Sequence, residues 1–168
     1  MRSFPCENAA AKRWIEHYGK QYAHLGITVL GDDLYCHQPL CELLLQHELN
    51  FILVCQPASH KTLYNWLEGL PLDTLSVKHW KGKVCEIYTY RYVNQLPLRD
   101  GEDALLVNWC ELTITRPDGT KVYKNAFATN YPLPGSERRG TGIRWSCPLE
   151  DRKRKQQYTQ NQGLQLRA

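Results

Sequence analysis

The chain has 168 residues, a formal net charge of +4 and 42% hydrophobic residues, enough for one ordinary domain with a real core. It contains no run of about eighteen apolar residues, so nothing is expected to span a membrane. Met1 to Cys6 lacks the apolar stretch of a signal peptide, which predicts a cytoplasmic chain, and the mild positive excess permits nucleic-acid binding without arguing for it.

The elements follow in chain order. Glu7 to Leu25 is rich in helix formers, and Ala10, Trp14, Tyr18 and Tyr22 recur at helical spacing until Gly26 stops the pattern. Ile27 to Leu30 is a short, β-branched apolar run ending at Gly31-Asp32-Asp33, which predicts a buried parallel strand. Pro39 opens a second helix from Leu40 to His47, and Phe51 to Cys55 reads as a second buried strand. Ser59 is the expected cap of a third helix running through Leu67. The order helix, strand, helix, strand, helix over residues 1–70 predicts an α/β layer with a largely parallel sheet.

Residues 71–130 have a different texture. Lys81-Gly82 separates two strand-like runs, Cys85 to Asn94 alternates with Tyr88, Tyr90 and Tyr92 on one face, and Pro117-Asp118-Gly119 is a hairpin signal between Leu105–Thr115 and Val122–Thr129. This predicts an antiparallel β unit of about four strands. From Tyr131 onward Pro132, Pro134 and Gly135 break the pattern, apolar residues thin out, and residues 131–168 are expected to be disordered.

The candidate chemistry is concentrated after the first strand. An Asp beyond the carboxyl end of a strand in an open α/β sheet stands where such sheets place ligands, and its oxygens suit a hard divalent cation. Asp32 is the candidate, with Asp33 in reserve; a turn or helix-capping role remains the alternative for both. Glu42 and Glu48 are expected to be solvated on the second helix, and Asp73, Asp100, Glu102 and Asp103 to sit in polar loops. His37, His47, His60 and His79 lack ligand spacing and are expected at or near the surface. Trp66, Trp80 and Trp109 are expected to pack the core or the β unit. The cysteines, Cys6, Cys36, Cys41, Cys55, Cys85, Cys110 and Cys147, form no C-x-x-C pair, so buried reduced thiols are expected rather than a zinc knuckle.

Ala9-Ala10-Ala11-Lys12-Arg13-Trp14, Leu25-Gly26, Val29-Leu30-Gly31-Asp32-Asp33-Leu34-Tyr35 and Gln38-Pro39-Leu40-Cys41, continuing through Asn50–Gln56 to Phe127-Ala128-Thr129-Asn130, together resemble bacterial insertion-sequence DNA transposases of the DDE type, the IS-four-like group. The resemblance covers about four-fifths of the chain. It implies a catalytic core similar to ribonuclease H, in which two Asp and one Glu hold two Mg²⁺ or Mn²⁺ ions that cleave and join DNA strands. The middle Asp of that set corresponds to Asp32, and a β-rich insertion commonly precedes the helix that bears the Glu.

Two departures accompany the resemblance. The strand carrying the first Asp is expected upstream of the first helix, which here begins almost at Met1, and no Glu-bearing helix follows Asn130. The resemblance therefore implies a fragment, inactive alone, whose partial ribonuclease H-like core occupies 1–70, with the β insertion over 71–130. The tail is expected to be out of frame from about residues 129–139: permissible codons for Trp145 to Gly163, read one nucleotide forward, encode G-R-A-R-W-K-I-E-N-E-N-N-N-T-L-K-T-K, which resembles the missing segment, its Glu arising across the Arg152 codon. Competing readings are a basic tail that meets DNA electrostatically, a non-catalytic nucleic-acid-binding module built on Tyr88, Tyr90 and Tyr92, and an unrelated Mg²⁺ nuclease using Asp32 and Asp33. Packing of those tyrosines on one sheet face is the simpler account of their alternation. Neither partners beyond DNA nor an oligomeric state follow from the sequence.

Overall fold

The computed structural model describes residues 7–134; of the tail expected to be disordered over 131–168, residues 131–134 are described and held, Tyr131 by Asn108 and Leu133 by Asn94, while the rest, including the stretch read as out of frame, lies outside the described residues. These hold three α-helices and one six-stranded mixed sheet, so the chain is α/β. In chain order the elements are α1 (Glu7–Tyr22), β1 (Thr28–Gly31), α2 (Gln38–Gln46), β2 (Asn50–Val54), α3 (Lys61–Glu68), β3 (Asp73–Lys81), β4 (Val84–Pro97), β5 (Leu106–Thr115) and β6 (Lys121–Thr129).

The sheet runs β1-β2-β6-β5-β4-β3. β1 and β2 are parallel, as expected, with Thr28 opposite Asn50 and Gly31 opposite Leu53. Every other pairing is antiparallel, so the sheet as a whole is not largely parallel. For β3–β4 and β5–β6 the cause is local, because tight turns join them, and Gly82 and Gly119 both take positive φ there. The β-rich strands do not pack beside the parallel pair but continue it, because β6 pairs directly with β2 through Ile52–Thr129, Leu53–Ala128 and Val54–Phe127.

Side chains seal that seam. Thr129 donates to the Phe51 carbonyl at 2.6 Å, the Phe51 amide donates to Asn130 Oδ1 at 2.9 Å, and Asn130 Nδ2 reaches Asn50 Oδ1 at 2.9 Å. A β-bulge between Val93 and Leu96 interrupts β4. There Gln95, at φ 63, donates its amide to Asn108 Oδ1 at 3.0 Å.

Helix boundaries have identifiable causes. α1 runs into a 3-10 turn at Ala23–Leu25 that ends where Gly26 takes the left-handed conformation, its amide bonded to Ala23 O. His37 caps α2 by accepting from the Leu40 amide at 3.3 Å, with Pro39 in the first turn. Buried Gln38 ties α2 to the β4–β5 loop: its Oε1 accepts from Arg99 Nε at 2.8 Å and Leu105 N at 2.9 Å, and its Nε2 donates to Asp103 O and Glu42. Residue His60, not Ser59, is the N-cap of α3, and it makes no side-chain cap bond; the Ser59 hydroxyl is turned to Asp33 instead.

The core gathers Leu40, Cys41 and Leu44 of α2, Phe51, Leu53 and Cys55 on and after β2, Leu63 of α3, and Val107, Trp109 and Ala128 of β5 and β6. It is centred on the inner strands. β1 lies at a sheet edge and is half-buried rather than buried, with Leu30 73% exposed. Of the three tryptophans expected inside, only Trp109 is; Trp80 on edge strand β3 is 71% exposed and Trp66 lies on the outer side of α3. Of the periodic α1 residues, Ala10, Trp14 and Tyr18 are exposed, and Tyr22 packs against the core. Trp14 stacks on Tyr22 at 5.9 Å and tilts against Tyr18, while Ile15 and Gly19, one residue along, are the buried positions.

The burial difference between the two parallel strands gives the first prediction. Leu53→Ala empties a closed site and should lose about 2–5 kcal/mol in urea unfolding, whereas Leu30→Ala should change stability by about 0.5 kcal/mol or less. Equal losses at the two positions would show that the free edge of β1 is covered in solution.

Candidate functional site

The candidate site lies beyond the carboxyl ends of β1 and β2, where two adjacent parallel strands release their chains into loops. Gly31 ends β1 in a place with no room for a side chain: a Cβ would stand 2.8 Å from Leu53 Cδ2 and 3.2 Å from Tyr35. The chain then turns through Asp32 and Asp33.

These neighbouring carboxylates have different fates. Asp32 is exposed, and its Oδ1 accepts from the Leu34 amide at 3.0 Å, an Asx-turn bond that leaves its outward oxygen to solvent. It joins no group of three potential metal ligands among the described residues. Asp33 faces inward. Its Oδ1 accepts from the Gln56 amide at 2.6 Å and lies 3.4 Å from His60 Nδ1, and its Oδ2 accepts from the Ser59 hydroxyl. Asp33 therefore fastens the end of β1 to the loop between β2 and α3.

Behind Asp33 lies a buried cluster that spacing along the sequence does not announce. Cys36, Cys55 and His60 each offer one donor atom, and these atoms all lie within 4.8 Å of one another. All three residues are buried, so His60 lies deeper than the surface or half-buried position expected of it. The described cysteines, Cys36, Cys41, Cys55, Cys85 and Cys110, are free thiols, the first three of them buried, in line with the expectation of reduced cysteines.

The electrostatics of the cluster follow from its partners. His60 Nε2 is 2.5 Å from the Cys36 carbonyl oxygen, and Nδ1 is 3.3 Å from the Gln56 carbonyl as well as near Asp33. A neutral imidazole has one N–H; a ring whose two nitrogens both face acceptors is best satisfied as imidazolium. Its pKa is accordingly pushed up, to about 9: contact with the Cys36 side chain is the largest cause, burial opposes it, and the Cys36 carbonyl and the Asp33 carboxylate add to it. Contact with Cys55, then burial, pushes the Cys36 thiol far above its ordinary range, so it stays protonated. A neutral thiol cannot balance a cation, which leaves Asp33 and the two carbonyls to hold the charged ring.

His37 goes the other way. Burial is the main cause that lowers its pKa, followed by the Lys12 charge, and a small contribution comes from His60. The direction agrees with its ring nitrogen accepting the Leu40 amide. The remaining candidates are structural or solvated. Glu42 accepts from Gln38 and is half-buried rather than free, Glu48 lies past the end of α2 at φ 57, and Asp103 pairs with Arg99. Asp73 begins β3 instead of lying in a loop. His79 stacks edge-on with Tyr88 at 4.4 Å, and the His47 side chain closes over Gly19. A groove of about 610 Å³ between α3 and the sheet is lined by Tyr64, Trp109 and Glu111, but Glu111 is already paired with Arg91 and Lys124 and offers a metal no free carboxylate.

Two measurements test this division of roles. Asp33→Ala should lose about 2–4 kcal/mol, since it strips a buried ring and a backbone amide of their acceptor, whereas Asp32→Ala should cost less than about 1 kcal/mol. In metal-free chain, the His60 ring protons should titrate above the ordinary 6.5 by NMR. Because the folded value is raised, this group's contribution to stability is complete below about pH 6.5 and is lost as pH rises through the raised value. A midpoint near 6.5 would refute the buried imidazolium.

Compared with known proteins, the chain matches no family model and no curated protein. The case for its chemistry rests on the geometry of its own residues.

Proposed function

We propose that the chain is a segment of an insertion-sequence transposase of the DDE type, and that Asp32 is the carboxylate it contributes to a two-metal site for DNA strand cleavage and transfer. The observation that carries this reading is the position of Asp32, exposed at the carboxyl end of the strand that pairs in parallel with β2. A carboxylate there is free to reach Mg²⁺ or Mn²⁺, as a ribonuclease H-like core requires. The antiparallel run β3–β6, following α3 and joined to the parallel pair through β2, suits the β-rich insertion that the reading calls for. The free edge of β1, with Leu30 uncovered, is compatible with further strands of such a core docking there.

One carboxylate holds Mg²⁺ poorly, because the ion keeps its waters and needs further anionic ligands. In this reading the chain alone neither cleaves nor joins DNA, and no membrane is involved; among the described residues no helix is long and apolar enough to cross one.

The gene provides the first test. Codons from Trp145 onward, read one nucleotide forward, should encode Trp-Lys-Ile-Glu after Gly-Arg-Ala-Arg; any other sequence removes the out-of-frame tail from the proposal. The second test is biochemical. A chain with that frame restored and the coding sequence upstream of α1 included should nick DNA carrying the element's ends in the presence of Mg²⁺ or Mn²⁺. Asp32→Ala in that background should abolish cleavage by at least about a hundredfold while leaving the fold intact. Undiminished cleavage by Asp32→Ala would sink the assignment.

A further inference from the structure

The cluster behind Asp33 takes no part in the strand cleavage proposed above. We propose that Cys36, Cys55 and His60 form a binding site for one zinc ion, with Asp33 as the positioning residue behind His60.

Three observations point to it. The donors are two thiols and an imidazole, the borderline-soft set that suits Zn²⁺ and is poorly matched to Mg²⁺ or Ca²⁺. They converge from three separate points of the chain: the turn after β1, the residue after β2 and the residue before α3. Tetrahedral Zn²⁺ with sulfur and nitrogen ligands needs donors roughly 3.5–3.8 Å apart; a set already within 4.8 Å reaches that spacing by contraction, with the Cys36 carbonyl, 2.5 Å from His60 Nε2, swinging off that nitrogen to admit the ion.

The third observation is Asp33. It lies 3.4 Å from His60 Nδ1, the ring nitrogen away from the Cys36 carbonyl, and shares that nitrogen with the Gln56 carbonyl oxygen at 3.3 Å. A histidine that binds metal through one nitrogen commonly gives the N–H of the other to a carboxylate, which fixes the tautomer and the ring plane. Here the carboxylate is itself fixed by the Gln56 amide and the Ser59 hydroxyl. Binding replaces the protons on both thiols and on Nε2: Zn²⁺, two Cys–SH and one imidazolium give a neutral Zn(S)₂N centre and three H⁺, with Nδ1–H kept for Asp33. Three protein ligands leave a fourth position for water or another donor.

The test uses the full chain, reduced and stripped with chelator, titrated first with Co²⁺ as a spectroscopic probe and then with Zn²⁺. The expected result is one Co²⁺ per chain, with thiolate-to-cobalt charge-transfer absorption and the intense visible bands of tetrahedral cobalt, displaced by one equivalent of Zn²⁺. Cys36→Ser and Cys55→Ser should each weaken the charge-transfer band and lower affinity at least tenfold. His60→Gln should lower affinity similarly but keep thiolate absorption. Asp33→Asn should keep the spectrum at about 10–100-fold lower affinity, which mere loss of packing would not produce. A chain with Cys6, Cys85 and Cys147 changed to serine should bind as the wild type does.

Should a substituted chain fail to fold, the wild-type spectrum still decides. So does Zn²⁺ protection of the Cys36 and Cys55 peptides from maleimide. The proposal is overturned if stoichiometric Co²⁺ gives no thiolate band, if Cys55→Ser leaves the spectrum unchanged, or if the serine control loses it. These readouts need no DNA and stand apart from any outcome of the cleavage assays.

Discussion

The Asp33 carboxylate joins two chain ends that would otherwise part. β1 and β2 run parallel, so both release their loops at the same edge of the sheet, and only side chains can hold those loops together. Asp33 does so with three groups, the Gln56 amide, the Ser59 hydroxyl and the His60 ring. Each bond involves an ionised acceptor in a partly dry setting, the regime in which a hydrogen bond contributes about 1.5–3 kcal/mol. The arrangement has two consequences. Asp32, one residue earlier and on the opposite side of the turn, is left facing solvent. His60 is drawn back under the loop, against Cys36 and Cys55.

His37 and His60 show how the facing groups divide otherwise similar residues. Both are N-caps, where the helix dipole disfavours a positive ring. His37 has Lys12 for a charged neighbour and accepts a backbone amide, so it is pushed toward the neutral form. His60 has a carboxylate on one side and a carbonyl on the other, and it goes the opposite way despite burial. Position on a helix is the weaker influence; the identity of the facing atom decides the charge.

Much of the fold was legible in the sequence. The three helices, the parallel pair and the two hairpins were marked by periodicity, by Gly26 and Pro39, and by Lys81-Gly82 and Pro117-Asp118-Gly119. What periodicity cannot carry is lateral position. Ile27–Leu30 and Phe51–Cys55 look alike as apolar runs, yet one became an edge strand with Leu30 in solvent and the other the centre of the core. That difference depends on β6 choosing the far side of β2, a pairing fixed by Thr129 and Asn130 some eighty residues downstream. Within α1, itself legible as a helix, the large aromatics made the stronger pattern, yet Trp14 and Tyr18 are exposed and Tyr22 only partly buried while Ile15 and Gly19 face in. For the site, ligand spacing was the wrong signal. Cys55 and His60 follow the same strand, but Cys36 follows another and completes no zinc spacing with them; the three meet because β1 and β2 are neighbours.

The rule that pointed to Asp32 has a wider reach than its first use. Residues that follow the carboxyl end of one strand share their space with residues that follow its parallel neighbour, so the rule concerns pairs of loops. Applied to both strands, it brings Asp32, Asp33 and Cys36 together with Cys55, Gln56 and His60. Chemistry then separates them into an outward face with one hard oxygen donor and an inner one with two sulfurs and a nitrogen. The two faces suit different metals: a Cys/His set takes zinc without needing the outer carboxylate, and a lone exposed Asp adds little to it. Asp33 lies between them as the partition, and its bonds make it unavailable to either as a ligand. A metal held on the inner face, as proposed, would stiffen the turn that presents Asp32 without sharing its chemistry.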